Sequence, residues 1–221
     1  MSGSPQPRGS SGNSACEQHR SWRFGALELS DWRLRAWEGH AVRIREAHPG
    51  DAPALARVLI DSRRSAHRDH IPAESLLRLS YEESERNWAR KLQEIDASTL
   101  SRERIFLAET DTGEPVGVAM GGPERSHHPR YAGEVYILYL LPAYHRQGIG
   151  RLLTQAVVSW LTQSGMPSFL IRVLKANSPA RGFYEALGGQ LVLEEQLEED
   201  GAVLDQVAYG WSDASRVLRT G

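Results

Sequence analysis

Residues 134–153 read EVYILYLLPAYHRQGIGRLL. The first eight, rich in β-branched and aromatic side chains, predict a long buried strand. Pro142 ends it. From Ile149 the apolar positions are Ile149, Leu152, Leu153, Ala156, Val157, Trp160 and Leu161, the i, i+3, i+4, i+7, i+8 spacing of a helix. Between strand and helix stand Gly148 and Gly150, flanked by Arg146 and Arg151. Glycine weakens a helix interior by about 1 kcal/mol relative to alanine, so a bare backbone at this point must serve something else. A glycine turn that opens a helix gathers free N–H groups at the positive end of the helix dipole, and a phosphate can approach where no Cβ holds it off. The pattern G-x-x-x-x-G-K-[ST] is absent, and the dinucleotide fingerprint needs a third glycine where Leu153 stands. The stretch therefore predicts a phosphorylated ligand of neither motif class.

Outward from there the periods alternate. AVRIREA (41–47) reads as a strand, and Asp51 is placed to cap a helix through Leu55, Val58 and Leu59. Ser80 and Glu83 form a capping box before a helix whose Tyr81, Trp88, Leu92 and Ile95 share a face. RIFLAE (104–109) and PVGVAMGG (115–122) flank the turn Asp111-Thr112-Gly113-Glu114, a hairpin signal. SFLIRVLK (168–175) is a further strand. Ser178-Pro179 predicts a helix start and Gly188 its stop. QLVLEEQ (190–196) and AVLDQVAYGW (202–211) make a closing hairpin. The order βααβββαβαββ predicts one α/β domain over 41–212, a central mixed sheet flanked by helices, with a tail at 213–221.

The N-terminal segments differ from this domain. Residues 1–15 hold five serines, three glycines and two prolines, and the composition predicts disorder over 1–20. Residues 21–40 carry Trp22, Trp32 and Trp37, half of the chain's tryptophans, and read as an extension packed on the domain. The 221 residues carry a net charge of −2, so overall electrostatics give no reason to expect nucleic acid or an anionic membrane as partner. One cysteine, Cys16, excludes an intrachain disulfide and a multi-cysteine zinc site. No apolar run reaches a membrane span, and the expected location is cytoplasmic. His127 and His128 lie in a polar loop without further ligands at metal-binding spacing, so no metal is expected.

LYLLPAYHRQGIGRLL, followed after a strand by NSPARGFYEALGG, resembles the acetyl-CoA-dependent GNAT N-acetyltransferases. The resemblance covers roughly 170 residues and implies the same fold order. It departs at His145, where the family usually has Gln or Arg, and at Gly188-Gly189, where Gly-Phe is common. It implies acetyl-CoA as cosubstrate, with pantetheine along the backbone of Leu138, Tyr139 and Leu140, where two parallel strands part. Residues Arg146, Gln147, Gly148, Ile149, Gly150 and Arg151 would wrap the pyrophosphate. Asn177 would bind the pantetheine arm, Tyr184 would protonate the departing sulfur, and Glu134 would be the general base. For Glu134 the alternative is a strand-end carboxylate in solvent or paired with an arginine. For Tyr184 it is a packed aromatic, and for Asn177 a turn residue.

The resemblance implies a primary amine as acceptor, on a small molecule, a polyamine or a protein. HIPAESLLRLSYEESERNW resembles a bacterial subgroup that includes polyamine acetylators, and the acidic run 194–200 could draw a cation, although such a run is more often a solvated turn. The basic, histidine-rich run 62–72 lies where acceptors commonly meet this fold. Dimers are common in the family, which makes a homodimer the assembly to test for. A catalytically silent acyl-CoA-binding module is the alternative function.

Overall fold

A computed structural model describes residues 23–24, 27–28, 33–35, 41–98, 101–199 and 202–219. The proposed disorder of 1–20, Cys16, and Trp22, Trp32 and Trp37 lie outside the described residues. Among the described residues, ten strands and six helices follow in chain order: β1 (Arg23–Phe24), β2 (Leu27–Glu28), β3 (Arg33–Arg35), β4 (Ala41–Glu46), α1 (Ala52–Ala66), α2 (Ala73–Leu77), α3 (Tyr81–Ala97), β5 (Arg104–Thr110), β6 (Pro115–Pro123), β7 (Gly133–Leu140), α4 (Ile149–Gln163), β8 (Phe169–Leu174), α5 (Ser178–Ala186), β9 (Gln190–Glu199), β10 (Ala202–Trp211) and α6 (Ser215–Arg219). β3 to β10 form one mixed sheet in the order β3-β4-β5-β6-β7-β8-β10-β9. Among these pairs only β7–β8 is parallel.

Both faces of the sheet are covered, which is why its central strands read as continuous apolar runs. In β5, Phe106 and Ala108 join a core built with α4 and α5, while Ile105 and Leu107 join a second core under α1 and α3. All seven apolar positions assigned to α4 are buried. Thr154, Gln155 and Val158 are buried too, because α6 packs behind the helix and Gln155 Nε2 donates to the Val217 carbonyl at 3.1 Å. The segment expected as a tail thus extends the domain, and Ala214 and Val217 are fully buried.

Several local expectations hold. Gly113 has φ +80° in the β5–β6 turn, and the Thr110 N–H donates to the Glu114 carbonyl at 2.9 Å. The Ser80 hydroxyl accepts from the Glu83 N–H at 3.3 Å, one half of the expected box. Other expectations change. Asp51 stands at the N-cap of α1 without capping it, because Arg45 takes both carboxylate oxygens at 2.7 and 2.8 Å. Tyr81 is exposed and donates to Asp61 at 2.5 Å, so the buried stripe of α3 rests on Trp88 and Leu92. The cap of α5 is Asn177 rather than Ser178. The run 194–199 belongs to β9 and is not a turn; Glu194 pairs with Lys175 and Glu195 with Arg172.

Candidate active site

β7 pairs with β8 through only three residues, Gly133 with Phe169, Glu134 with Leu170 and Val135 with Ile171. Beyond Val135 the two strands part. On its other edge β7 stays paired with β6 as far as Leu140, and the register slips between Met120 and Gly121, leaving Tyr136 as the extra residue of a bulge. Burial follows pairing: Gly133 to Val135 are buried, whereas Tyr136 to Leu140 are half-buried. The V between β7 and β8 therefore exposes backbone of Leu138, Tyr139 and Leu140 on its β8 side, the place expected for an extended ligand arm.

The mouth of the V carries the glycine turn. Gly148 has φ +82° and is the N-cap of α4, and Arg146, also left-handed at φ +63°, turns the chain before it. No side chain caps the helix, and its first internal bond runs from the Leu152 N–H to the Gly148 carbonyl at 3.2 Å. A left-handed conformation at Gly148 excludes most side chains. Gly150 is under no such constraint: its backbone is not left-handed, and a Cβ there would meet the Phe183 ring at 3.5 Å, an ordinary contact. The imidazole Nε2 of His145, at the position that departs from the family pattern, donates to the Leu140 carbonyl at 2.8 Å and ties the turn to the end of β7. Gln147 turns its amide back to the Ala143 carbonyl at 3.0 Å. An uncapped helix start beside an open strand edge fits the pyrophosphate and pantetheine of the implied cosubstrate.

Asn177 stands between β8 and α5, and Tyr184 lies on α5. Asn177 Oδ1 accepts from the Ala180 N–H at 3.2 Å, which leaves its amide NH₂ group to donate. Tyr184 is 5% exposed, with its ring centroid 5.5 Å from that of Phe183 and 6.5 Å from that of Trp211. Burial, with a smaller contribution from Tyr139, raises its phenol above the ordinary tyrosine value, so it holds its proton at neutral pH. Where Gly-Phe is common, Gly189 leaves room for Trp211. A Cβ at 189 would stand 2.6 Å from the indole, which stacks on Phe169 and donates to the Leu187 carbonyl at 3.0 Å.

Glu134 differs from the base expected of it. Its side chain is wholly buried at the apex of the V, where Arg172, the first β8 residue beyond the pairing, reaches it at 3.0 Å. Arg125 adds bonds to both carboxylate oxygens, at 2.6 and 3.1 Å, and its backbone N–H a third at 3.2 Å. Arg172 also holds Glu124 at 3.0 Å and Glu195 at 2.8 Å. Glu134 thus takes the arginine-paired alternative. No motif announced Arg125, Arg172 or Glu124, which converge from the loop after β6 and from β8. Among the described residues no group of three or more His, Cys, Asp or Glu side chains is placed to hold a metal ion, and no helix is long and apolar enough to cross a membrane.

On the α1/α3 face a cleft of about 560 Å³ opens beside the splayed strand, with Met120 and Ile137 in its lining. Behind its rim His67 is buried, with Nε2 3.3 Å from the Tyr139 hydroxyl.

Comparison with known proteins agrees with this geometry. Over 174 residues the chain is 35% identical to the uncharacterised N-acetyltransferase YuaI of Bacillus subtilis, covering 79% of this chain and 95% of that one. It is 36% identical over 84 residues to a mycothiol acetyltransferase of Thermomonospora curvata, a match covering only 38% of this chain and 27% of the relative. Its fold is similar to that of the PaiA N-acetyltransferase of Thermoplasma acidophilum in complex with coenzyme A, with a TM-score of 0.61 at 16% identity over 77% of this chain and 99% of that one. YncA of Salmonella typhimurium, solved with acetyl-CoA, gives 0.57 at 19% identity over 77% and 92%. Residues 70–189 match the profile of the acetyltransferase (GNAT) family, and the chain is a member of that family.

Proposed function

We propose that this protein transfers the acetyl group of acetyl-CoA to a primary amine by direct attack in a ternary complex. The observation that carries this reading is the V of β7 and β8, open from Tyr136 onward and closed at its mouth by an uncapped helix start. In it the pyrophosphate lies against residues 146–151 and the pantetheine arm against Leu138 to Leu140 and the Asn177 amide. When bound, acetyl-CoA supplies an acyl thioester whose thiol, like an ordinary thiol of pKa about 8.5, is a tolerable leaving group. The Leu140 N–H faces the oxygen on which negative charge develops. Tyr184 gives its proton to the departing sulfur. Glu134 acts as base only if exposed Arg125 turns aside; in the observed geometry its carboxylate holds Arg172 instead. The reading includes a cytoplasmic setting and a homodimer, the latter checked by light scattering.

The caged Glu134 is the one observation that favours a silent acyl-CoA-binding module. A panel of amines with acetyl-CoA and a free-thiol readout separates the two, together with a melting curve with and without CoA. The enzyme reading expects thiol release with at least one amine and a higher melting temperature with CoA. Tyr184→Phe should lower kcat roughly 10–100-fold, the low end for a general acid, and leave acetyl-CoA affinity within about threefold. CoA binding with no thiol release from any amine sinks the enzyme reading. Absence of CoA binding sinks both.

A further inference from the structure

The cleft on the α1/α3 face has a charge pattern that acetyl transfer alone does not require. Met120 and Ile137, cross-strand partners beside the bulge, lie in its floor. Ile137 is two residues past the last β7–β8 pair, so the cleft floor includes a residue of the stretch of β7 that β8 leaves unpaired. Arg63, Arg78, Arg90 and Lys91 line it, against Glu83 and Glu94. Lys91 is already held by Glu103 at 2.9 Å and Glu94 at 3.6 Å. Arg78 and Arg90 are exposed and, among the described residues, have no carboxylate within ion-pair distance. They donate to neutral oxygens, Ser75 Oγ at 3.1 Å and Asn87 Oδ1 at 3.0 Å. Trp88, 5% exposed, lines the same cleft, and its buried indole N–H has no acceptor among the described residues.

We propose that the acceptor amine carries a carboxylate and an apolar body. Arg78 and Arg90 hold the carboxylate. The apolar body covers Met120, Ile137 and Trp88, and the amine points toward the open strand beside Ile137. The identity of the ligand as an acetyl acceptor rests on the acetyltransferase reading; the cleft's preference for an anion does not. A polyamine is the wrong charge here, since its distal ammonium would meet the two arginines. The acidic run that could have drawn one lies on β9, with Glu194 and Glu195 already paired. Glu83 in the same wall favours a singly charged carboxylate over a doubly charged phosphate.

Calorimetric titration of the CoA-saturated full chain with leucine, leucinol and spermidine tests this. Leucine and leucinol share an apolar body and an ammonium and differ in the carboxylate. Charge-assisted bonds to two guanidinium groups should make leucine bind roughly 10–100-fold more tightly than leucinol. The double variant Arg78→Met/Arg90→Met, at exposed sites, should abolish that difference. Equal binding of the two, tighter binding of spermidine, no binding of any of the three, or a preference that survives the double variant each overturns the proposal. Thiol release separates it from the reading beneath it. A protein that prefers leucine in this way yet releases no thiol with any amine keeps the cleft and loses the transferase. One that acetylates spermidine or leucinol but not leucine keeps the transferase and loses the cleft.

Discussion

Gly133–Val135 and Tyr136–Leu140 belong to one strand, yet their surroundings are opposite. The first stretch is paired on both edges and buried, and Glu134 within it is enclosed by arginines. The second is paired on one edge and half-buried, with its other edge facing the V. Two devices make the difference. The bulge at Tyr136 shifts which side chains face α1 and α3, so that Ile137 and Tyr139 pack toward those helices and Leu138 and Leu140 toward α4. At the next β8 position, Arg172 bridges Glu124, Glu134 and Glu195. One half of the strand is thus held on both edges, and the other leaves one edge open. The lesson is that an opening in a sheet needs a prop at its apex, and here the prop is ionic.

The largest effect expected on this contrast comes from removing the prop. Arg172→Met leaves the buried carboxylates of Glu124 and Glu134 without their shared cation, and losing one partner of a buried pair costs about 3–5 kcal/mol. Denaturant unfolding should report that loss, with CoA affinity falling as the V loses its fixed width. An unfolding free energy within about 1 kcal/mol of wild type would show that the cage is incidental, since that is the range of ordinary surface pairs.

Next in size is Gly148→Val, at the mouth of the open half. A β-branched residue at φ +82° is strained by roughly 1–2 kcal/mol or more and places methyl groups where the pyrophosphate is proposed to lie. CoA affinity should fall by at least about 100-fold, near 2.7 kcal/mol, with the fold retained. Unchanged binding by a folded variant would assign the turn to something other than phosphate.

Gly150→Ala should do least. Its Cβ meets Phe183 at an ordinary contact distance, and the backbone there is not left-handed. Melting temperature and CoA affinity should stay near wild type, by the rule that an unstrained Gly→Ala change shifts stability by about 0.4–1 kcal/mol at most. A loss as large as that of Gly148→Val would mean that the two glycines share one role.

Much of this molecule was legible from spacing alone. The apolar period of α4, the Gly113 hairpin, the capping Ser80 and the Gly188 stop are local features, in which a residue's neighbours in sequence are also its neighbours in space. The strand, glycine turn and helix of 134–153 likewise determined the fold and the class of ligand, because an anion site at a helix start is made by consecutive residues. What tertiary structure alone decided are the long-range matters. Glu134 looked like a base at the end of a strand, and Arg125 and Arg172, nine residues away and on another strand, made it part of an ion cage. The run 194–199 looked like a charged turn and became a strand because β10 pairs with β9 through nine residues. Residues 213–219 looked like a tail and became a packed helix because α4 presents a second apolar face to Val217. Arg78 and Arg90 became candidate carboxylate ligands only when α1 and α3 folded over Ile137. Sequence pattern reports what a segment prefers, and partners brought in from distant parts of the chain decide which charges are satisfied and which stay available for a ligand.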